Sequence, residues 1–301
     1  DNDFSKGDLI MRKVLLATTA LVAMSVTAAQ ADVTISGNQT FEVTDTGAAT
    51  SFYQDGAVTI ASSSTTDSGL TLKAVHSMST SVGNGLAGVQ GLDDTYLDIS
   101  GEFGSLRMGN TDDALDLNDG IVPSNWDENG NGGMAIGGAQ GANEATISFT
   151  APSISGVKVY GFTSAEGAAS GMGVNYSNGP VSVMYQAGED GTSSESLMAV
   201  NFSMAGATVG FSSGDTDAAG VKDTATSMGV KYSMGDLDIY YVSQKNAKAE
   251  KTKTSLGGYY SIAPGLSAAL ETADDGAGEA TTYAHLQRSE ERRVGKECRS
   301  R

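Results

Sequence analysis

The chain has 301 residues, 39 of them glycine, with four prolines, one cysteine and a formal net charge of −18. A field of that sign repels nucleic acid and argues against a DNA or RNA partner. The lone Cys298 excludes a disulfide framework and a thiolate metal site, and 39 % hydrophobic residues is a thin supply for the core of a water-soluble domain of this size.

Residues 1–10 precede Met11 and read as upstream sequence outside the natural translation. Met11-Arg12-Lys13 then opens a secretory signal. Two basic residues lead an apolar stretch from Val14 to Val26, and Ala29-Gln30-Ala31 supplies an A-x-A cleavage site, so residues 11–31 are a signal peptide and Asp32 begins the mature chain. The apolar stretch is short for a spanning helix, which needs about 20 residues. Residues 32–287 hold 30 acidic and nine basic residues, a balance of −21.

From Asp32 onward one pattern recurs. Short segments alternate apolar and polar residues between clusters of Gly, Asn, Asp and Ser, the signature of half-buried strands. Strands are predicted at 33–44, 52–62, 68–78, 94–101, 104–109, 144–151, 156–163, 171–177, 181–187, 196–204, 207–213, 226–233, 237–244, 254–261 and 266–272, with a last one beginning at 281–286. Lys73, Asp98, Arg107, Lys158, Lys231 and Asp238 each fall opposite the aliphatic set of their strand. Tight turns at Ser177–Pro180, Met204–Gly206 and Met234–Asp236 alternate with longer polar links at 188–195, 214–225, 245–253 and 273–280. Short turns at one end and long loops at the other is the plan of a membrane barrel, which keeps its apolar face outside and needs no dry core. The fold class is therefore all-β, a transmembrane antiparallel barrel of about 16 strands. The longest link, 110–143, is of a length usually reserved for function.

At Arg288 the composition changes. Six of the last fourteen residues are basic and the alternation stops, so 288–301 resembles translated adapter read-through, with the final strand truncated at Gln287.

Gly101-Glu-Phe-Gly-Ser-Leu-Arg-Met-Gly109 resembles the G-x-F-G-x-x-x-x-G strand that precedes the constriction loop of the general porins of Gram-negative bacteria. Thr65-Thr-Asp-Ser-Gly-Leu70, Ala263-Pro-Gly-Leu266 and the first mature strand Val33-Thr-Ile-Ser-Gly37 agree with that resemblance, which covers residues 11–287. It implies an outer-membrane homotrimer whose third long loop folds into the lumen, acidic on the loop and basic on the facing wall. Here the loop offers Asp112, Asp113, Asp116, Asp119, Asp127 and Glu128, and the wall offers Lys73, Asp98, Arg107 and Lys158. It further implies a water-filled channel through which small hydrophilic solutes and ions diffuse passively. Two departures from the family pattern stand out: the wall is poor in basic residues, and the C-terminal aromatic is missing. Carboxylates at a narrow point concentrate cations, so a cation preference is expected.

Asp127-Glu-Asn-Gly-Asn-Gly132 matches the first half of a calcium loop through Asp127, Asn129 and Asn131, but the bidentate acid due at position 138 is Gly138. No cofactor is otherwise expected. Trp126 has the role of packing the loop on the wall, and Tyr160, Phe162, Tyr185, Tyr232, Tyr241 and Tyr260 are candidates for rim girdles, with half of them free to point inward. An enzyme is disfavoured: His76 and His285 lie far apart and neither has a nucleophile signature nearby. The remaining alternative is a secreted acidic β-rich adhesin or surface-layer protein.

Overall fold

The computed structural model describes residues 32–83, 86–110, 146–164, 169–248, 250–278 and 280–294. Sixteen strands close on themselves, each hydrogen-bonded to its two sequence neighbours, and β1 pairs with β16 to complete the ring. In order they are β1 Asp32–Asp45, β2 Thr50–Thr65, β3 Thr71–Gly83, β4 Leu86–Gly101, β5 Gly104–Asn110, β6 Thr146–Thr150, β7 Val157–Ser164, β8 Ala169–Asn178, β9 Val181–Asp190, β10 Ser193–Met204, β11 Ala207–Ala218, β12 Val221–Met234, β13 Leu237–Asn246, β14 Lys251–Ala263, β15 Leu266–Asp274 and β16 Ala280–Val294. All neighbouring pairs are antiparallel. Closure leaves no sheet edge with unpaired N–H and C=O groups, the condition for a sheet to lie in lipid.

The alternation resolves into two faces. On β10, Glu195, Leu197 and Ala199 are buried and point inward, whereas Met198, Val200, Phe202 and Met204 are exposed and point outward. On β12, Ser227 is inward, with Met228, Val230, Tyr232 and Met234 outside. An outside this apolar is unstable in water and stable in a bilayer.

Strand positions follow the alternation, but the links at one end depart from it. The stretches 188–195 and 214–225 are not long loops. Their polar residues continue β9 to Asp190 and β11 to Ala218, and the chain turns back at once to start β10 at Ser193 and β12 at Val221. Ser, Thr, Asp and Gly carry no apolar alternation there, so only the ladder of backbone hydrogen bonds reveals the strand. The last strand, expected to begin at 281–286, runs as β16 to Val294, opposite Val33.

The short-turn end repeats one device. The backbone N–H of Ser177 donates to the carbonyl of Gly156 (2.9 Å), Ser203 to Pro180 (2.8 Å), Ser233 to Gly206 (2.8 Å), Ser261 to Asp236 (2.9 Å) and Ser289 to Gly265 (2.8 Å). Strands β8, β10, β12, β14 and β16 thus each hook onto the preceding turn at this end of the barrel. The residue preceding the serine is outward and aromatic on β8, β10, β12 and β14: Tyr176, Phe202, Tyr232 and Tyr260. On β16 that position is Arg288, whose Nη2 lies 2.6 Å from Glu290. Aromatic side chains are favoured at such a membrane rim. Arg288→Tyr is therefore expected to raise the barrel's unfolding free energy modestly, by up to about 1 kcal/mol. Urea titration of the detergent-folded chain checks it, and a loss of stability would show that Arg288 is better served by Glu290 than by the rim.

Candidate pore wall

The inner face is organised by register. One row of directly opposed residues runs Lys73, Asp98, Arg107, Ser148 across β3 to β6. Their strands turn these side chains inward because Leu72, Leu97, Ile99, Leu106 and Ile147 occupy the alternate positions. Arg107 makes a two-pronged bond to Asp98, Nε to Oδ1 at 2.9 Å and Nη2 to Oδ2 at 3.0 Å. Its guanidinium carbon also sits 4.0 Å from the ring centroid of Tyr96. Planar forks suit carboxylates and aromatic faces equally. Arg107 is thus committed twice, and Asp98 is flanked by Lys73 on one side and Arg107 on the other. The three together carry a net charge of +1.

Lys158 is inward by parity with Tyr160 and Phe162, but it stands close to the short-turn end of β7 and is exposed. The structure therefore brings Lys73, Asp98 and Arg107 together and leaves Lys158 apart from them. Asp112, Asp113, Asp116, Asp119, Asp127, Glu128, the calcium candidates Asp127, Asn129 and Asn131, and Trp126 lie outside the described residues. Among the described residues no group of three or more His, Cys, Asp or Glu side chains is placed to hold a metal ion.

Half a circumference away a second row runs Lys231, Tyr240, Gly257, Glu271, Tyr283 and Thr44, from β12 round to β1. The Tyr240 hydroxyl donates to Glu271 Oε2, and both side chains are fully buried. To reach from β13 to β15 the ring lies flat across β14, where Gly257 leaves room. A Cβ at 257 would collide with the ring and the hydroxyl. The same arrangement recurs on β7 to β9: Tyr160 crosses Gly173 and donates to Gln186 Oε1 at 3.2 Å. Tyr160 and Phe162 are consequently lumen residues, 3 % and 6 % exposed, while Tyr185, Tyr232, Tyr241 and Tyr260 face outward. The parity of β7 carries that distinction, since Val157 and Val159 take the outer face.

At the seam where the ring closes, Glu42 on β1 stands opposite His285 on β16, with Oε2 3.6 Å from Nδ1. Thr44 donates its hydroxyl to the other oxygen of Glu42 at 2.5 Å, and the Tyr283 ring stacks near His285 with centroids 6.4 Å apart. Glu42, Glu271 and His285 are wall residues that sequence reasoning misses. Glu271 is recoverable, because Leu266 and Leu270 set the outward parity of β15. Glu42 is recoverable in the same way, because Phe41 and Val43 on either side of it set the outward parity of β1.

A closed 16-stranded antiparallel ring, apolar outside and lined by polar and charged side chains, is a transmembrane β-barrel channel. Residues 17–278 match the family model described as Gram-negative porin. Solved structures agree: a double mutant of the Rhodopseudomonas blastica porin superposes with a TM-score of 0.70 at 18 % identity, covering 86 % of this chain and 100 % of that one. A fivefold mutant and a triple mutant of the same porin each give 0.67, at 18 % and 17 % identity, with the same coverage. At these identities the likeness carries the fold. No curated protein matches the chain in sequence. The chain belongs to the Gram-negative porin family and is a protein of the bacterial outer membrane. A secreted adhesin is not favoured.

Proposed function

We propose that the chain forms a water-filled channel for passive diffusion of small hydrophilic solutes and prefers cations among ions. The observation that carries the preference is the pairing of Arg107. Its charge is matched by Asp98, so the described basic strip reduces to the single net charge of Lys73, Asp98 and Arg107. Against that stands a balance of −21 over residues 32–287. Low-dielectric walls focus such a field on the lumen. The proposed constriction is the link between β5 and β6, with Asp112, Asp113, Asp116, Asp119, Asp127 and Glu128 as its carboxylates. Passage involves no chemical step, and selection rests on width and charge. Family membership and the lipid-facing exterior point to a homotrimer set in outer-membrane lipid.

The test is single-channel recording from the detergent-folded full-length chain in a planar bilayer, with the reversal potential read across a potassium chloride gradient. Stable steps with a cation-selective potential are expected. An anion-selective potential would overturn the charge reading and keep the channel. Absence of steps would overturn the channel.

A further inference from the structure

The basic residues of this acidic chain are unevenly placed. Of the nine in residues 32–287, four fall within 245–253: Lys245, Lys248, Lys251 and Lys253. They belong to β13, β14 and the turn between them, at the end of the barrel away from the short turns. Parity separates them. On β14, Leu256 and Tyr260 face outward while Ser255 and Gly257 face the lumen, so Lys251 and Lys253 are inward. On β13, Ile239 and Tyr241 face outward, so Gln244 and Asn246 are inward and Lys245 is outward. Register then sets Lys251 opposite Asn246 and Lys253 opposite Gln244. Two ammonium groups and two amides form a square on the inner face, and side chains of this length reach one another across it.

Lys251 is exposed and Lys253 half-buried, and among the described residues neither is in an ion pair. The inward carboxylate of the neighbouring strand, Asp223 on β12, is engaged by other donors. Asn246 Nδ2 donates to its Oδ2 at 2.6 Å, and the backbone N–H groups of Lys248 and Thr224 donate to its Oδ1 at 3.0 and 2.9 Å. Asp223 thereby ties the β13–β14 turn to β12 and fixes the frame that carries the lysines. Beyond Gln244 the same row continues through Ser227 and Ser212, both buried, whose hydroxyls have no partner among the described residues. Two like charges on one strand face repel, and a group of donors short of acceptors is satisfied by an acceptor from outside.

We propose that the inner face of the β13–β14 hairpin is a subsite for anionic solutes that carry a phosphate or carboxylate group. The square offers positive charge together with amide N–H groups for the oxygens of such a group. The face is the lumenal one, so the ligand is a solute in transit and not a lipid headgroup. Lys253 lies four residues along β14 from Gly257, about 13 Å toward the mouth by strand rise. The subsite therefore stands apart from the row of Lys73, Asp98 and Arg107 on β3 to β5. It goes beyond the preference among small ions and rests on the channel reading.

The test is block of potassium chloride current through the full-length chain in a planar bilayer by glucose 6-phosphate, with glucose as the neutral probe of similar size. Glucose 6-phosphate is expected to reduce the current at concentrations where glucose does not. Lys251→Gln combined with Lys253→Gln is expected to raise the half-blocking concentration about five- to tenfold, the effect of two partly exposed charge contacts. Lys251→Arg combined with Lys253→Arg keeps both charges and is expected to preserve the block. Lys245→Gln makes the same kind of charge change on the outer face of the hairpin and is expected to leave the block unchanged. Equal block by the two sugars would overturn the proposal, as would an equal loss of block in Lys245→Gln and the doubly substituted glutamine chain. Current steps in potassium chloride alone, recorded from the same membranes before either sugar is added, tell failure of the subsite from failure of the channel.

Discussion

Gly257→Val is expected to be strongly damaging to the barrel. The new branches meet the Tyr240 ring, which lies flat on β14 between β13 and β15. The ring has no outward escape, since Ile239 and Tyr241 already occupy the lipid side of its strand. It must swing off β14 and surrender its bond to the buried carboxylate of Glu271. Overpacking costs about 1–3 kcal/mol and the loss of a hydrogen bond to a charged group about 1.5–3, so a loss of roughly 3–5 kcal/mol is expected. The urea midpoint of the folded barrel measures it. Tyr240→Ala carries its own penalty, but adding Gly257→Val to it should then cost under about 1 kcal/mol, because the obstacle is gone. Equal losses in both backgrounds would show that the glycine matters for some reason other than the ring. The corresponding change at Gly173 should cost less, because Tyr160 gives up a neutral amide rather than a carboxylate.

The second large effect is on ion preference. Asp98→Asn keeps the shape of the site and raises the strip of Lys73, position 98 and Arg107 from a net +1 to +2, releasing Arg107 toward the lumen. Arg107→Ala lowers it to zero. In water a unit charge about 5 Å from a passing ion is worth about 0.8 kcal/mol, a factor of about four before screening. Asp98→Asn should therefore move the potassium-to-chloride permeability ratio toward chloride by about two- to fourfold, and Arg107→Ala should move it toward potassium by a similar factor. Reversal potentials of the two variants under one salt gradient decide. Shifts in opposite directions place this row at the narrow part of the pore, and unchanged potentials would place selection elsewhere.

Much of this wall is legible in the sequence. Period-two alternation sets Lys73, Asp98 and Arg107 on the inner face because each sits between aliphatic residues that demand the outer one. What the alternation lacks is register. That Lys73, Asp98 and Arg107 share one row depends on which residues oppose each other across β3, β4 and β5, and no single strand contains that information. Gly173 and Gly257 are illegible for the same reason: each is required by a tyrosine one strand away, 13 and 17 residues distant along the chain. The upper parts of β11 and β12 read as a loop, because above the apolar band both faces of a strand meet water and hydrophobic patterning ends while pairing continues. Residue type alone groups Tyr160 with Tyr185 and Tyr232, although its own strand's parity sends it inward.

The hooks from Ser177, Ser203, Ser233, Ser261 and Ser289 to the preceding turns have a bearing on how such a ring changes size. Each hook joins one hairpin to the next by the same backbone contact, independent of the side chains around it. A hairpin is therefore a self-contained building unit that brings its own connector. Duplicating or deleting one such unit leaves every remaining connector with a partner, whereas adding a single strand would reverse the chain's direction and leave one connector on the wrong side of the membrane. The circumference of this wall can accordingly grow or shrink only in steps of two strands.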